Sequence, residues 1–293
     1  MASQAEALPS EGAARRRVWP TRRVLSTAAA YGVLTVAAAA VLFPMYLALV
    51  NALLPAEDII TYPPELFPTN PQWGNFKGAL DATPLSRFML NSFIQSSVIV
   101  AGQLVTSVMA AYAFAFLRFP FRNALFLLFL STLMVPWEVT IIPNFQTIRT
   151  LGWIDSYQAL TVPFLATAVG TFLLRQHFMT IPKELRDAAA IDGYGHWRFL
   201  FYIVVPLSRP IIAAVAIFGF LQAWNQYLWP LLVTNEDTYR TVQIGLQKLA
   251  SQEIDRLNVV FAGTVIAAIP MFALLVLFQR QIVRGLTAGA IKG

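Results

Sequence analysis

The feature that most constrains this chain is a set of six long stretches that carry almost no charge. A helix needs about 20 predominantly apolar residues to cross the hydrocarbon core of a bilayer, and each stretch is close to that length or longer. We place the predicted spans at about residues 24–52, 88–117, 123–146, 156–176, 209–234 and 257–280. The sequence therefore predicts an all-α integral membrane protein with one domain of six transmembrane helices at residues 24–284.

Composition agrees with the membrane class and excludes several others. Charged residues make up 12% of the chain, against about 25% in soluble domains. There are no cysteines, which excludes disulfides and thiol catalysis. The two histidines, His177 and His196, are too few for a His-rich metal site and have no obvious paired acid and nucleophile. We therefore expect no catalytic residues and no metal. The alternative of a membrane enzyme lacks the group of catalytic side chains that it would need.

The basic residues predict how the chain lies in the membrane. If the termini are cytoplasmic, fifteen of the 21 Lys and Arg residues lie inside and six outside, as the positive-inside rule requires. Their placement beside spans also accounts for the net charge of +6 without a nucleic-acid partner. We predict cytoplasmic tails at residues 1–23 and 285–293. The first uncharged run, Val24–Ala56, is 33 residues long, whereas a signal peptide has an apolar core of about 7–15, so we expect a retained span.

The loop at residues 180–208 separates the fourth and fifth spans and is charged and helix-forming. Pro182 suits the first turn of a helix, where its missing N–H costs nothing. Glu184 and Asp187 follow in the early turns, where carboxylates complement the helix dipole. Three alanines and then Gly193 complete a predicted helix of about ten residues, since glycine adopts the left-handed conformation that ends helices.

A second, more apolar helix is predicted at residues 196–205, with Pro206 ending it. It would lie along the helical bundle and hold the first helix as a rigid projection. Periodicity alone would fit a plain amphipathic connector equally well. The pattern of individual residues distinguishes the two interpretations.

The loop resembles the signature cytoplasmic loop of permease subunits in bacterial ATP-binding-cassette importers. Matching positions are Glu184, Leu185, Asp187, Ala188, Ala189, Ile191, Asp192, Gly193, Phe199, Ile203, Pro206 and Pro210. The resemblance implies the type I importer permease fold with a cytoplasmic coupling helix that docks into an ATPase subunit. The residues that it assigns to coupling are Glu184, Leu185, Asp187, Ala188, Ala189, Asp192 and Gly193.

The resemblance also implies which functions lie on other subunits. The chain has no G-x-x-x-x-G-K-[ST] motif, so ATP and magnesium are expected on a separate ATPase and no cofactor on this chain. The C-terminal tail is similar to the tails of sugar-importer permeases, which reach between the two ATPase subunits. That similarity gives the same role to Thr287, Gly289 and Lys292.

Two groups of residues are candidates for the substrate pathway. Glu138 is the one acidic residue within the six predicted spans. An acid inside the membrane is a candidate functional residue. It follows Pro136 and Trp137, where we expect a kink, although it could also lie near the outer interface.

The second group lies in the fifth span and comprises Trp224, Asn225, Gln226 and Tyr227. Carboxamides beside indoles suit polyol substrates, but such amides also join helices, and Trp and Tyr also occur in interfacial belts.

The whole chain from about Phe43 resembles maltose-type sugar-importer permeases, and short stretches are similar to the second permeases of sn-glycerol-3-phosphate importers. These stretches are residues 119–123, 134–139, 155–157, 171–180 and 225–232. The resemblance implies import of glycerol 3-phosphate or of glycerophosphodiesters such as glycerophosphocholine. A neutral disaccharide of the maltose or trehalose type is the alternative, and an ion-coupled secondary transporter is a remote one.

The implied partners are a second, different permease, two copies of the ATPase, an extracytoplasmic binding protein and membrane lipid. The implied location is the bacterial cytoplasmic membrane.

Overall fold

The computed structural model describes the backbone of residues 21–287 and the side chains of residues 25–281. Every regular element in that part of the chain is a helix, as predicted. The α-helices are α1 Thr21–Leu53, α2 Gly74–Ala82, α3 Leu85–Phe116, α4 Arg122–Ser131, α5 Trp137–Thr150, α6 Tyr157–Thr161, α7 Ala168–Phe178, α8 Lys183–Ile191, α9 His196–Phe199, α10 Val205–Leu207, α11 Arg209–Trp224, α12 Leu228–Val233, α13 Val242–Gln252 and α14 Leu257–Thr287.

The chain forms two compact units, one up to Leu47 and one from Ala48 onward. In the first unit, α1 carries exposed apolar side chains such as Leu34 and Val36. A helix that is apolar on all sides suits a lipid environment. The second unit contains the remaining helices and is described below.

Within residues 21–287, three helices are long and apolar enough to cross a membrane. Three further pairs of helices qualify only if each bent pair is one span, which gives up to six spans. The bends are 94° between the segment Arg122–Met134 and α5, 43° between the segment Tyr157–Phe164 and α7, and 78° between the segment His196–Leu207 and α11. The helical membrane architecture is thus present, and the count of six stays a prediction.

The first bend lies where the sequence predicts a kink. Pro136 immediately precedes α5, and the residue before it, Val135, is extended with ψ of 111°. Proline lacks an N–H group and disfavours helical geometry in the preceding residue. The predicted third span is therefore two helices, with Glu138 in the first turn of the second.

The fifth predicted span also differs from a continuous helix. α11 ends at Trp224, and α12 begins only at Leu228. Pro230 has no N–H to donate to the carbonyl of Gln226, so a helix cannot run through this point without losing a hydrogen bond. Residues 225–227 form the break.

The proline-rich loop after α1 is irregular over residues 59–73, as expected, but then forms α2, which the sequence analysis missed. The amide of Asn75 on α2 donates hydrogen bonds to the carbonyls of Ala52 and Leu54, each at 3.0 Å. Asn258 donates to the side-chain oxygen of Asn75, also at 3.0 Å. These bonds fix α2 against the end of α1 and the start of α14.

The long helix α3 is the centre of the second unit. It packs against α7, α11 and α13. A cluster of buried apolar side chains joins α3, α7 and α11 to the loop that carries α8. This cluster positions the loop relative to the membrane helices.

Candidate functional site

The charged loop contains the short helix that the sequence predicts. α8 covers residues 183–191 with Pro182 immediately before it. Gly193 has φ of +74°, the N–H of Tyr194 donates to the carbonyl of Ala189 at 2.8 Å, and the N–H of Gly193 donates to that of Ala190 at 3.1 Å. This pair of bonds around a left-handed residue is the Schellman arrangement. It satisfies carbonyls that the helix end would otherwise leave free.

One face of α8 is packed and the opposite face is free. Ala189 is buried in the cluster that contains Tyr112 and Phe199. Ile191 is 87% exposed, and Leu185 is exposed as well. The remaining predicted coupling residues, Glu184, Asp187, Ala188, Asp192 and Gly193, are also exposed. The loop thus offers a short helix with small, acidic and apolar side chains on its outer surface.

The segment after α8 differs from its prediction in one respect. Helical structure runs from His196 to Leu207 and includes a π-helical turn at Leu200–Val204. Pro206 does not end it, because the N–H of Ser208 still donates to the carbonyls of Val204 and Val205, at 3.0 and 3.1 Å, and closes the last turn. The chain then bends by 78° at Ser208 into α11.

A hydrogen bond fastens this segment to the bundle. The hydroxyl of Tyr112 on α3 and Nδ1 of His196 are 2.9 Å apart. The rings of Tyr112 and His196 also meet edge to face, with centroids 6.0 Å apart. The loop is therefore joined to α3 by a directional contact as well as by apolar packing.

Thr287 is the last helical residue of α14. Gly289 and Lys292, the other residues predicted to reach the ATPase, lie outside the described residues.

Aromatic rings join the broken helices in the membrane region. Trp137 follows the break before α5, Phe164 precedes the break before α7, and Trp229 follows the break after α11. The ring centroids of Trp137 lie 4.8 Å from Phe164 and 5.6 Å from Trp229. The indole N–H of Trp229 donates to the carbonyl of Ala159 at 2.9 Å. The structure therefore brings the three breaks to one place.

Polar side chains of α3 provide hydrogen bonds at these breaks. Gln95 donates to the side-chain oxygen of Gln226 at 2.7 Å. Gln103 donates to the carbonyl of Phe164 at 3.1 Å, and the hydroxyl of Thr106 donates to that of Leu165 at 2.9 Å. Interrupted helices are tolerated in a membrane when neighbouring groups satisfy the freed backbone.

The sequence analysis missed these α3 residues. The available signal was amides spaced four residues apart, Asn91 and Gln95, within an uncharged run. Both are fully buried.

The predicted pathway residues have different environments. Glu138 is exposed, and Trp137 is half-buried in the aromatic cluster. Trp224 is only 2% exposed and stacks on Phe220 at 5.7 Å, which is the environment of a packing residue.

The three residues after Trp224 form the break. Asn225 donates to the carbonyl of Leu221 at 2.8 Å, and its side-chain oxygen accepts from Gln243 at 3.3 Å. Gln226 is half-buried on Gln95, and Tyr227 is 39% exposed. Asn225 and Tyr227 are therefore accessible beside the break, whereas Trp224 is not.

The loop between α12 and α13 is held by two carboxylates and one amide. Partial burial raises the pKa of the Asp155 carboxyl, but backbone N–H groups of Glu236 and Asn235 lower that pKa to below its usual value. A hydrogen bond from Lys248 lowers the pKa of Asp237. Asn91 donates to the carbonyls of Thr238 and Arg240, each at 2.8 Å. This loop is thereby fixed to α3 close to the break.

Within residues 21–287, no group of three or more His, Asp or Glu side chains is placed to hold a metal ion.

Comparison with known proteins assigns this arrangement to a family. Residues 103–288 match the family described as binding-protein-dependent transport system inner membrane component. That match covers more than half of the chain and includes α8, the broken helices and all of α14. The chain belongs to this family. It is accordingly a multi-pass membrane permease of the binding-protein-dependent, ATP-binding-cassette importer class, as the loop pattern predicts.

Curated relatives are similar over most of this permease. The sn-glycerol-3-phosphate transport system permease protein UgpE of Pectobacterium atrosepticum is 39% identical over 255 residues, which cover 84% of this chain and 91% of the relative. The protein of the same name from Rhizobium meliloti (strain 1021) is 39% identical over 274 residues, covering 90% of this chain and 97% of the relative.

A solved structure supports the fold. A chain of a bacterial ABC transporter involved in the import of the acidic polysaccharide alginate superposes with a TM-score of 0.77. The alignment covers 89% of this permease and 98% of that chain at 20% sequence identity. The importer permease fold expected from the sequence is therefore confirmed.

Proposed function

We propose that this permease translocates sn-glycerol 3-phosphate or glycerophosphodiesters such as glycerophosphocholine. The observation that supports this proposal is the similarity of about 40% identity to sn-glycerol-3-phosphate permeases over most of both chains. The match extends across the helix breaks and the α8 loop, so it covers the parts that line and drive a pathway. An importer component does not require an ion gradient, which disfavours the secondary-transporter alternative.

The proposed assembly contains a second, different permease, two copies of a cytoplasmic ATPase and an extracytoplasmic binding protein. ATP and magnesium are held by the ATPase. Both termini and the α8 loop face the cytoplasm, in line with the distribution of Lys and Arg. The residues that would contact the ATPase are the exposed side chains of α8 and Gly193, together with Thr287, Gly289 and Lys292.

The proposed mechanism is alternating access. ATP closes the ATPase pair, α8 moves with it, and the Tyr112–His196 hydrogen bond and the apolar cluster carry that movement to α3 and α11. α3 provides hydrogen bonds at two of the helix breaks, the one before α7 and the one after α11. Movement of α3 would therefore reach Gln226 through Gln95.

The proposed pathway residues are Glu138, Asn225, Gln226 and Tyr227, with Trp137 holding the aromatic cluster beside them. Asn225 and Tyr227 are exposed and can bond hydroxyl or phosphate oxygens. The carboxylate of Glu138 would repel a phosphate dianion and attract the ammonium of a choline headgroup. This charge distinguishes the two proposed substrates.

Uptake by cells that lack this chain, complemented with wild type or variants, tests the proposal. Labelled glycerol 3-phosphate, glycerophosphocholine and trehalose are supplied in parallel. Restored uptake of the two glycerophosphate compounds supports the proposal, whereas restored uptake of trehalose alone identifies a neutral sugar permease.

One variant separates the two glycerophosphate substrates. We expect Glu138→Gln to lower KM for glycerol 3-phosphate and to raise it for glycerophosphocholine. Glu57→Gln, the same charge change on an outer-loop residue, is the matched control and should alter neither value. Equal shifts for both substrates would place Glu138 outside the pathway.

A further inference from the structure

The turn between α3 and α4 carries a group of arginines that the transport mechanism does not use. Arg118 and Arg122 line a surface depression of about 420 Å³, together with Phe119, Phe121 and the first residues of α4. Arg175 on α7 packs on the ring of Phe126, one turn along α4 from Arg122. In the described part of the chain, none of these three arginines forms an ion pair with a carboxylate. The depression therefore has an uncompensated positive charge.

Two of the arginines are fixed in place. Arg122 donates from Nη1 to the carbonyl of Leu117 at 3.1 Å. Arg175 donates from Nε to the carbonyl of Phe114 at 3.4 Å, and its guanidinium lies 4.0 Å above the ring of Phe126. Like charges held close together without a counter-ion favour an external anion. Guanidinium groups are also the side chains best suited to binding phosphate oxygens.

An apolar stripe leads away from the depression. Phe121 immediately precedes α4, and Leu125 and Leu128, spaced at i and i+3, lie on one face of that helix. They are 81%, 46% and 66% exposed, respectively. Phe121 has φ of +58°, a conformation that is uncommon for a residue other than glycine. The turn thus displays an aromatic ring between the arginines and the apolar stripe.

We propose that this depression is a binding site for the phosphate headgroup of an anionic phospholipid, whose acyl chains lie along Phe121, Leu125 and Leu128. The arginines supply the charge complement, and the stripe supplies the apolar surface that a lipid needs. A free anion would contact the arginines but would not contact the apolar stripe. Basic depressions between membrane helices are known to suit anionic lipid headgroups. The proposal concerns this chain alone and does not depend on its transported substrate.

Native mass spectrometry of the purified full-length chain, alone and assembled with its partner subunits, tests the site. Phosphatidylglycerol and phosphatidylcholine are added in parallel, and inorganic phosphate serves as competitor. Arg118→Gln is the test variant, since Arg118 is exposed and its loss leaves the bond between Arg122 and Leu117 intact. Arg149→Gln is the matched control, because Arg149 is an equally exposed arginine at the end of α5.

We expect Arg118→Gln to weaken phosphatidylglycerol binding about fivefold, the equivalent of about 1 kcal/mol for one arginine near a lipid surface. Arg118→Lys should bind nearly as the wild type does, and phosphatidylcholine should bind weakly to all variants. An equal loss in Arg149→Gln would overturn the proposal, as it would indicate general attraction. Full displacement of phosphatidylglycerol by millimolar phosphate would overturn the proposal and identify a site for free anions. Lipid binding to the chain alone but not to the assembly would also overturn it, because a partner subunit would then cover the depression.

Discussion

Replacement of Gly193 by alanine provides a sharp test of the α8 loop. The φ of Gly193 is +74°, and a Cβ atom added there would meet no atom within 4 Å. The cost of Gly193→Ala is therefore purely conformational. An L-residue in the left-handed region costs about 1–2 kcal/mol, so the equilibrium between the capped and the frayed loop shifts about tenfold toward the frayed form.

The matched control lies two residues away. Gly195 also has no atom within 4 Å of an added Cβ, but its φ is −74°, which any residue adopts. Gly195→Ala should therefore leave the loop unchanged. Gly193→Asn should be intermediate, because asparagine tolerates the left-handed conformation better than alanine does.

The assay is substrate uptake in complemented cells, with co-purification of the partner subunits as the measure of assembly. We expect Gly193→Ala to assemble normally but to transport several-fold more slowly, and the bulkier Gly193→Leu to transport more slowly still. Normal uptake by Gly193→Leu would refute the coupling role. An equal loss in Gly195→Ala would show that the effect does not arise from the left-handed cap.

Three further predictions concern stability, measured as thermal unfolding of the purified chain in detergent. Gly245→Ala would press a Cβ against the ring of the buried Phe88 and should cost about 1–3 kcal/mol, whereas Gly74→Ala meets nothing within 4 Å and should be neutral. Asn91→Ala leaves two carbonyls of the outer loop without donors and should cost about 3 kcal/mol or more; an unchanged melting temperature would contradict this. Since the pKa values of Asp155 and Asp237 both lie below their usual value, the wild type should lose stability as the pH falls below about 4. Asp237→Asn should show a smaller loss, because only Asp155 then contributes to it.

Local sequence signals predicted the α8 loop in detail. A proline before the helix, acidic residues early in it, alanines within it and a glycine after it specify where a short helix begins and ends. The left-handed φ of Gly193 follows from the same pattern. These features depend on residues within one or two turns of each other, which is why they could be predicted without knowledge of the remaining fold.

The helix ends around residues 225–227 were not predicted, although Pro230 gave a signal. The long uncharged run predicts one helix, where the structure has α11, a break and α12. Whether a break is tolerated in a membrane depends on groups that can satisfy its backbone. Here the side-chain amides of Asn225 and Gln243 donate to the carbonyls of Leu221 and Trp224. Gln95 on α3, about 130 residues earlier in the chain, holds the side chain of Gln226.

By itself, the sequence determined the membrane class, the helical architecture, the charge asymmetry and the short helix of the α8 loop, because each depends on composition or on short-range spacing. The tertiary structure alone decided that Trp224 packs inside the second unit, that Trp137, Phe164 and Trp229 bring three breaks together, and that Gln95 meets Gln226. Each of these contacts joins residues far apart in the chain. A polar or aromatic side chain in an apolar run can face lipid, a pathway or another helix, and only the packing of the helices selects among the three.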